Sequence, residues 1–275
     1  MYIRKILKIL IPGALFSCFA GISLFDPVYA NQMRARPVYA KWEDNKPWMS
    51  FDYFSIRRGL EVYVNVCHAC HELTGVCFYH FINRFLTEDE ANDLAKNYTI
   101  TDGPDDTGEM FTRKRKVIEG FPKPYKNIEE GKHVNNGNYP PNLAFIINGR
   151  PEGTDYVFSL LTGYCDPIAG VKVEEGNYFN PYKDGGVIGM APPLYDDIIE
   201  YQDGTVASAS QCAKDVTSFL TYVGMMPRDE FRIGALYSVY LFVPLFIALM
   251  CRKFFIFRSF KAMKAFQVPI KRRFK

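Results

Sequence analysis

Five consecutive residues, Cys67-His68-Ala69-Cys70-His71, combine the side chains and the spacing needed to attach a porphyrin covalently. Two cysteines three positions apart lie on one face of a helix, so both thiols can reach the two vinyl groups of a single ring. A histidine directly after the second cysteine stands where it can bind the iron from the proximal side. Together they are the attachment signature of a c-type haem. Covalent attachment prevents loss of the group, which suits an electron carrier better than a reversible oxygen binder. Other chemistries fit part of the set. A Cys-x2-Cys pair serves thioredoxin-like redox chemistry, although no βαβ pattern surrounds this one. Cys77 and His80 extend the run to Cys-x2-Cys-x6-Cys-x2-His, a four-ligand set for zinc. His68 reads as a spacer directed off the haem face.

A haem with one protein ligand binds gases or substrates, whereas His and Met together support electron transfer at a raised potential. The candidate methionines are Met33, Met49, Met110, Met190, Met225 and Met226. Met190 lies in Gly185-Gly186-Val187-Ile188-Gly189-Met190-Ala191-Pro192-Pro193-Leu194. There the glycines allow close backbone approach to the porphyrin and the prolines fix the loop. This local rigidity makes Met190 the chosen distal ligand over a base rate that favours methionine as core filler.

These residues need elements to position them. Ile56, Leu60, Tyr63, Val64 and Cys67 form a helical stripe that ends at the haem motif, and Cys212, Val216, Phe219, Leu220 and Val223 repeat the spacing. Two such helices, crossing with Gly59 at the point of close approach, predict a mainly α, cytochrome c-like haem domain. Thr87-Glu88-Asp89-Glu90 is a capping box that starts a short polar helix toward Lys96. Pro141 through Asn148 and Tyr156 through Leu161 are expected to form short helices. Residues 101–140 and 165–190, rich in Gly, Pro and Asp, read as long ordered loops wrapping the haem edges. Neither a phosphate-binding glycine loop nor a nucleophile triad is present, and no nucleic-acid partner is expected. Of the seven cysteines, Cys77, Cys165 and Cys212 remain in the body after the haem pair and the terminal Cys18 and Cys251 are set aside. Three is odd, so at most one disulfide forms among them.

Charge divides the chain. The net charge of +3 conceals an acidic body, residues 31–231, with 20 Lys/Arg against 29 Asp/Glu. Residues 232–275 carry ten basic residues and no acidic ones. Between Arg232 and Arg252 run nineteen uncharged residues, enough to cross a bilayer core about 30 Å thick as a helix. Pro244, in mid-run, is tolerated better in a membrane than in water. The expected organisation is a targeting segment or N-terminal membrane helix at 1–30, a haem domain at 31–231, an anchor at 232–252 and a basic tail at 253–275. Lys and Arg beside a span stay inside, so the tail and the haem domain lie on opposite sides of the membrane. The N-terminal Arg4, Lys5 and Lys8, the apolar run after them and Val28-Tyr29-Ala30 have the layout of a cleavable export signal.

The chain resembles the cytochrome c1 family, the haem subunits of quinol–cytochrome c reductase (the cytochrome bc1 complex). The resemblance rests on Ser55 to Tyr63 running into the haem motif, Thr87 to Ala91, Asp102-Gly103-Pro104, Gly108 to Phe111, Phe121 to Tyr125 and Asn135-Asn136-Gly137. It continues through Asp155 to Tyr164, Asn180-Pro181-Tyr182, Met190 to Tyr195 and Ala213-Lys214-Asp215, covering nearly all of residues 47–275. It implies thioethers from Cys67 and Cys70 to one haem c, axial ligation by His71 and Met190, and Arg150 as the haem-propionate partner. Tyr156 and Asn135 would lie nearby, with Pro141 against the ring. A buried propionate needs a bonded cation, and Arg can supply two parallel bonds. Asn142 departs from the Asp usual in the family, and Arg113-Lys114-Arg115-Lys116 adds a basic run.

The implied function is electron transfer from the Rieske iron–sulfur protein to soluble cytochrome c, within a dimeric complex that also contains cytochrome b and other bc1 subunits. The implied location is the mitochondrial inner membrane with the haem domain in the intermembrane space, or the bacterial plasma membrane with a periplasmic domain. A membrane-anchored c-type cytochrome serving another oxidase or reductase is the alternative. The acidic body would steer a basic partner.

Overall fold

The computed structural model describes residues 34–42, 50–226 and 228–263. The expectations for residues 1–30, Cys18, Met33, Met49 and the tail beyond residue 263 lie outside the described residues. In chain order the elements are α1 (Tyr53–Asn65), two 3₁₀ turns (Cys67–Ala69 and Phe78–Phe81), α2 (Glu88–Lys96) and a hairpin of β1 (Thr99–Asp102) and β2 (Phe111–Lys114). Then follow α3 (Ile128–Val134), α4 (Gly153–Thr162), a two-residue antiparallel ladder of β3 (Tyr178–Phe179) and β4 (Val187–Ile188), α5 (Ala209–Gly224) and α6 (Arg228–Met263). The fold is mainly helical, as the two stripes predict.

The core is built on the crossing of α1 and α5. Asp52 caps α1, accepting from the amides of Phe54 (3.1 Å) and Ser55 (3.4 Å), and Ser208 caps α5 by accepting from Gln211 N at 3.3 Å. Ile56, Leu60 and Tyr63 on one stripe and Val216, Phe219 and Leu220 on the other are all buried. Each such side chain contributes roughly 1.5–3 kcal/mol by leaving water. Gly59 permits the approach: a Cβ there would lie 2.1 Å from the Asp215 carbonyl oxygen and 2.7 Å from Phe219 Cβ. The Asp215 side chain, fully buried, is paired with Arg58 Nε at 2.9 Å and accepts from Gln211 Nε2 at 2.9 and 3.0 Å. The charge taken into the core is thus compensated on the spot.

The capping box at Thr87 is formed in full, with Glu90 N donating to Thr87 Oγ1 at 3.2 Å and Thr87 N to Glu90 Oε2 at 2.8 Å. Tyr156 through Leu161 lies inside α4. Pro141 through Asn148, expected as a helix, is a series of turns. Its amides are taken elsewhere: Leu143 N donates to Glu72 O at 3.0 Å, and Ala144 N to the Asn142 side chain at 2.9 Å. The supposed loop 101–140 contains the β1–β2 hairpin and α3, and 165–190 contains the β3–β4 ladder.

α6 is 36 residues long, about 54 Å at 1.5 Å per residue. It therefore begins before residue 232 and continues well past residue 252, the bounds set by charge alone. Asp229–Arg258 has a mean hydropathy of 2.1 in its most apolar stretch, none of which is buried by the rest of the chain. This candidate membrane-spanning helix joins the rest of the fold through side chains at its start. Tyr53 donates to Asp229 Oδ2 at 2.8 Å, Asp229 pairs with Arg232 at 3.3 Å, and Arg84 pairs with Glu230.

Candidate functional site

α1 delivers the five-residue motif, and the chain tightens as it arrives. The α-helix ends at Asn65, and Cys67–Ala69 forms a 3₁₀ turn closed by Cys70 N to Cys67 O at 3.2 Å, while His71 N reaches the same oxygen at 2.9 Å. In a 3₁₀ turn residues i and i+3 eclipse, so the two cysteines are brought to one side more directly than on the α-helix anticipated. Neither thiol is in a disulfide, and Cys77, Cys165 and Cys212 are free as well. Burial pushes the Cys67 thiol up to about 12, with the neighbouring Cys70 adding to the shift.

His71 is held through three of its groups. Besides the amide bond, its Nδ1 lies 2.9 Å from Pro141 O, and its carbonyl accepts from the Tyr63 hydroxyl at 3.2 Å. With Nδ1 donating to a carbonyl, Nε2 is the lone-pair nitrogen, the tautomer that binds a metal. Burial lowers the His71 pKa, opposed by the Pro141 bond, so the imidazole is kept neutral. Pro141 thus contributes its carbonyl to this ligand.

Asn135 spends its amide within the protein, donating to Tyr125 Oη at 2.8 Å and to Gly131 O at 2.7 Å. The Tyr125 hydroxyl in turn lies near Cys70. Cys67, Cys70, His71, Pro141 and Asn135 therefore form one group. His68 points away from it into an aromatic layer, with its Nδ1 3.3 Å from Tyr63 Oη and its ring 5.4 Å from those of Tyr98 and Phe121.

Met190 belongs to a second group. Gly185 and Gly186 have φ of +81° and +74°, and Gly186 N donates to Lys183 O at 2.9 Å. They make the turn between β3 and β4, four residues before the methionine, and the positive φ of that turn favours glycine at both positions. The Met190 carbonyl accepts from the Tyr164 hydroxyl at 3.1 Å. Tyr156 is buried inside α4, one end of which leads to Tyr164, and Arg150, before the other end, is exposed. Arg34 lies over the Tyr156 ring at 5.4 Å and is paired with Glu152 at 2.8 Å. Of the other methionines, Met110 is exposed, and Met225 and Met226 pack against the core.

The chain after Met190 returns to the motif. A crevice of about 560 Å³ is lined by Asn65 and Val66, just before Cys67, and by Tyr195, Ile198, Ile199 and Glu200. Gln202 N donates to Glu61 Oε2 at 3.2 Å, tying this segment to α1. Two unpaired thiols three residues apart, an imidazole with its metal-binding nitrogen left over and apolar residues beside them fit a covalently held haem. Zinc fits less well: the His80 Nδ1 accepts from Cys77 N at 3.0 Å, and no group of three or more His, Cys, Asp or Glu that could hold a metal occurs among the described residues.

Tyr63, Tyr164, Tyr125 and Arg34 were not singled out as site residues from the sequence. Their partners are remote or reached through a side-chain tip, and no spacing rule marks them.

Comparison with known proteins places the chain in a family. The model of the family described as Cytochrome C1 family matches residues 42–259. The mitochondrial cytochrome c1 heme protein of Schizosaccharomyces pombe is 45% identical over 188 residues, covering 68% of this chain and 61% of that protein. That of Saccharomyces cerevisiae is 41% identical over 229 residues, 83% of this chain and 74% of the relative. A Candida albicans protein named as the mitochondrial cytochrome b-c1 complex catalytic subunit is 41% identical over 206 residues, 74% and 72% of the two chains. The chain thus spans about three fifths of the length of the fission-yeast relative.

Proposed function

Because the chain belongs to the cytochrome c1 family, we propose that it relays single electrons from the Rieske iron–sulfur protein to soluble cytochrome c as the haem-bearing subunit of a cytochrome bc1 complex. Haem c supplies the one-electron couple when bound, and His/Met ligation raises its potential into the range that a Rieske centre can reduce. The observation that carries the reading is the His71 Nδ1 bond to Pro141 O at 2.9 Å beside two unpaired thiols. It fixes the tautomer and orientation that an iron ligand needs.

The residues divide the work. Cys67 and Cys70 form the thioethers, and His71 and Met190 hold the iron. Arg150 supplies positive charge to a propionate, with Tyr156 and Asn135 nearby and Pro141 against the ring. The acidic body of residues 31–231 steers basic cytochrome c toward it, at a rate that falls as salt rises. Cytochrome b, other bc1 subunits and a second copy of the complex complete the assembly. The haem domain stands in the intermembrane space, anchored in the mitochondrial inner membrane by α6. The basic residues 253–275 lie on the matrix side, and residues 1–30 are a targeting segment or an N-terminal membrane helix.

Quinol:cytochrome c turnover by the complex purified through this subunit tests the proposal. Loss of turnover on removal of cytochrome b, with a c-type α-band retained on this chain, is expected. A purified assembly that lacks cytochrome b and serves another oxidase or reductase would refute it.

A further inference from the structure

The peptides of the two proposed iron ligands are held in the same way. Tyr63, fully buried in α1, donates to the His71 carbonyl at 3.2 Å, and Tyr164, just beyond α4, donates to the Met190 carbonyl at 3.1 Å. The surroundings differ. His71 is also fixed through its amide and its imidazole, inside a turn continuous with α1. Met190 follows a two-residue ladder and precedes two prolines, in a segment with no helix between Thr162 and Ala209. For that peptide the hydroxyl of Tyr164 is the link to the end of α4.

We infer that Tyr164 is the positioning residue of the distal ligand: its hydroxyl pins the Met190 peptide and thereby keeps the thioether committed to the iron. The inference rests on the proposed role of Met190. A thioether is a weak, displaceable ligand, and its bound and released forms exchange. A net hydrogen bond of ordinary strength corresponds to about a fivefold change in such an equilibrium. Removing the hydroxyl while keeping the ring therefore raises the released fraction about fivefold, and the apparent affinity of an external ligand for the vacated position rises in proportion.

The test is carbon monoxide affinity of the reduced holo-complex, with haem content and reduction potential measured alongside, in the parent and in Tyr164→Phe, Met190→Leu and Tyr53→Phe. Tyr53→Phe removes a tyrosine hydrogen bond of similar length at the α6 junction and serves as the remote control. Tyr164→Phe should keep its full haem content, bind carbon monoxide about fivefold more tightly than the parent and show a lowered potential. Met190→Leu should bind it freely, and Tyr53→Phe should match the parent. Site-specific 3-fluorotyrosine at position 164, a stronger donor with the ring retained, should shift the affinity the opposite way and covers a Tyr164→Phe chain that does not assemble. If Met190→Leu binds carbon monoxide while both changes at position 164 leave affinity and potential at parent values, the positioning role is wrong and the ligand assignment stands. If Met190→Leu itself binds none, the ligand assignment fails and the inference falls with it.

Discussion

The proximal and distal halves of the proposed haem site are built on opposite plans. On the proximal side one helix and one 3₁₀ turn carry both thiols and the imidazole, and the amide, ring and carbonyl of His71 are all hydrogen-bonded. On the distal side a lone methionine stands in a stretch organised by turns, with its peptide bonded to a tyrosine from another segment. Covalent attachment demands precise mutual placement of three side chains, and contiguous sequence provides it. A thioether ligand needs only to be delivered, and a loop braced at one point can do that. Stability is therefore concentrated on the proximal side, and adjustment of iron chemistry is left to the distal side.

The largest effect is expected where the proximal plan is removed. Cys67→Ala with Cys70→Ala should abolish covalent haem altogether, read as loss of haem-dependent peroxidase staining on a denaturing gel. Retained staining would show that these thiols are not the attachment points. Met190→Leu should leave that staining intact while opening the sixth position, so the two halves separate by assay.

Next in size is the scaffold of the proximal half. Gly59→Ala places a methyl group 2.1 Å from a backbone oxygen of α5 and 2.7 Å from Phe219 Cβ, neither of which can swing aside. The helices must separate, at a cost of about 3 kcal/mol, the upper part of the range for overpacking. Thermal unfolding of the haem domain should fall by roughly 10 °C. A shift within a degree or two would mean that the crossing is softer than its geometry implies.

The difference between the halves also explains what could be read from sequence. α1 and α5 repeat apolar residues at helical spacing, and Gly59 on that stripe marks the crossing before any coordinates. Thr87 and Glu90 announce α2 because the capping box is local. The five-residue motif is contiguous, so its chemistry is legible whole. Pro141 through Asn148 misleads because its apolar residues suit a helix while its amides are claimed by Glu72 O and the Asn142 side chain, partners that periodicity does not register. The β1–β2 hairpin is missed because its strands are four residues long and mostly exposed, with no buried face to impose alternation. Met190 could be selected from its glycines and prolines, of which Gly185 and Gly186 also make the β3–β4 turn. Tyr164 stays invisible because what matters is one hydroxyl meeting one carbonyl far along the chain.

The smallest expected effect sharpens the contrast, because it applies the Gly59 substitution to the distal half. A Cβ at Gly189, next to Met190, would come within 2.7 Å of Asn138 Nδ2 and 3.4 Å of Asn138 Cγ and Asn177 Oδ1. That is nearly as close on paper as the contacts at Gly59. The obstacle is of another kind, the end of an exposed side chain that can take a different rotamer, and no positive φ is required of Gly189. Gly189→Ala also loses some backbone freedom in the unfolded chain, which works in favour of the folded form. The net cost should stay within about 0.5 kcal/mol, the range of surface substitutions. Thermal midpoint, haem content and carbon monoxide affinity of Gly189→Ala should all lie close to the parent, while Gly59→Ala loses stability. A Gly189→Ala protein as unstable as Gly59→Ala would mean that the distal segment is packed as tightly as the helix crossing, and the division of labour between the two halves would have to be abandoned.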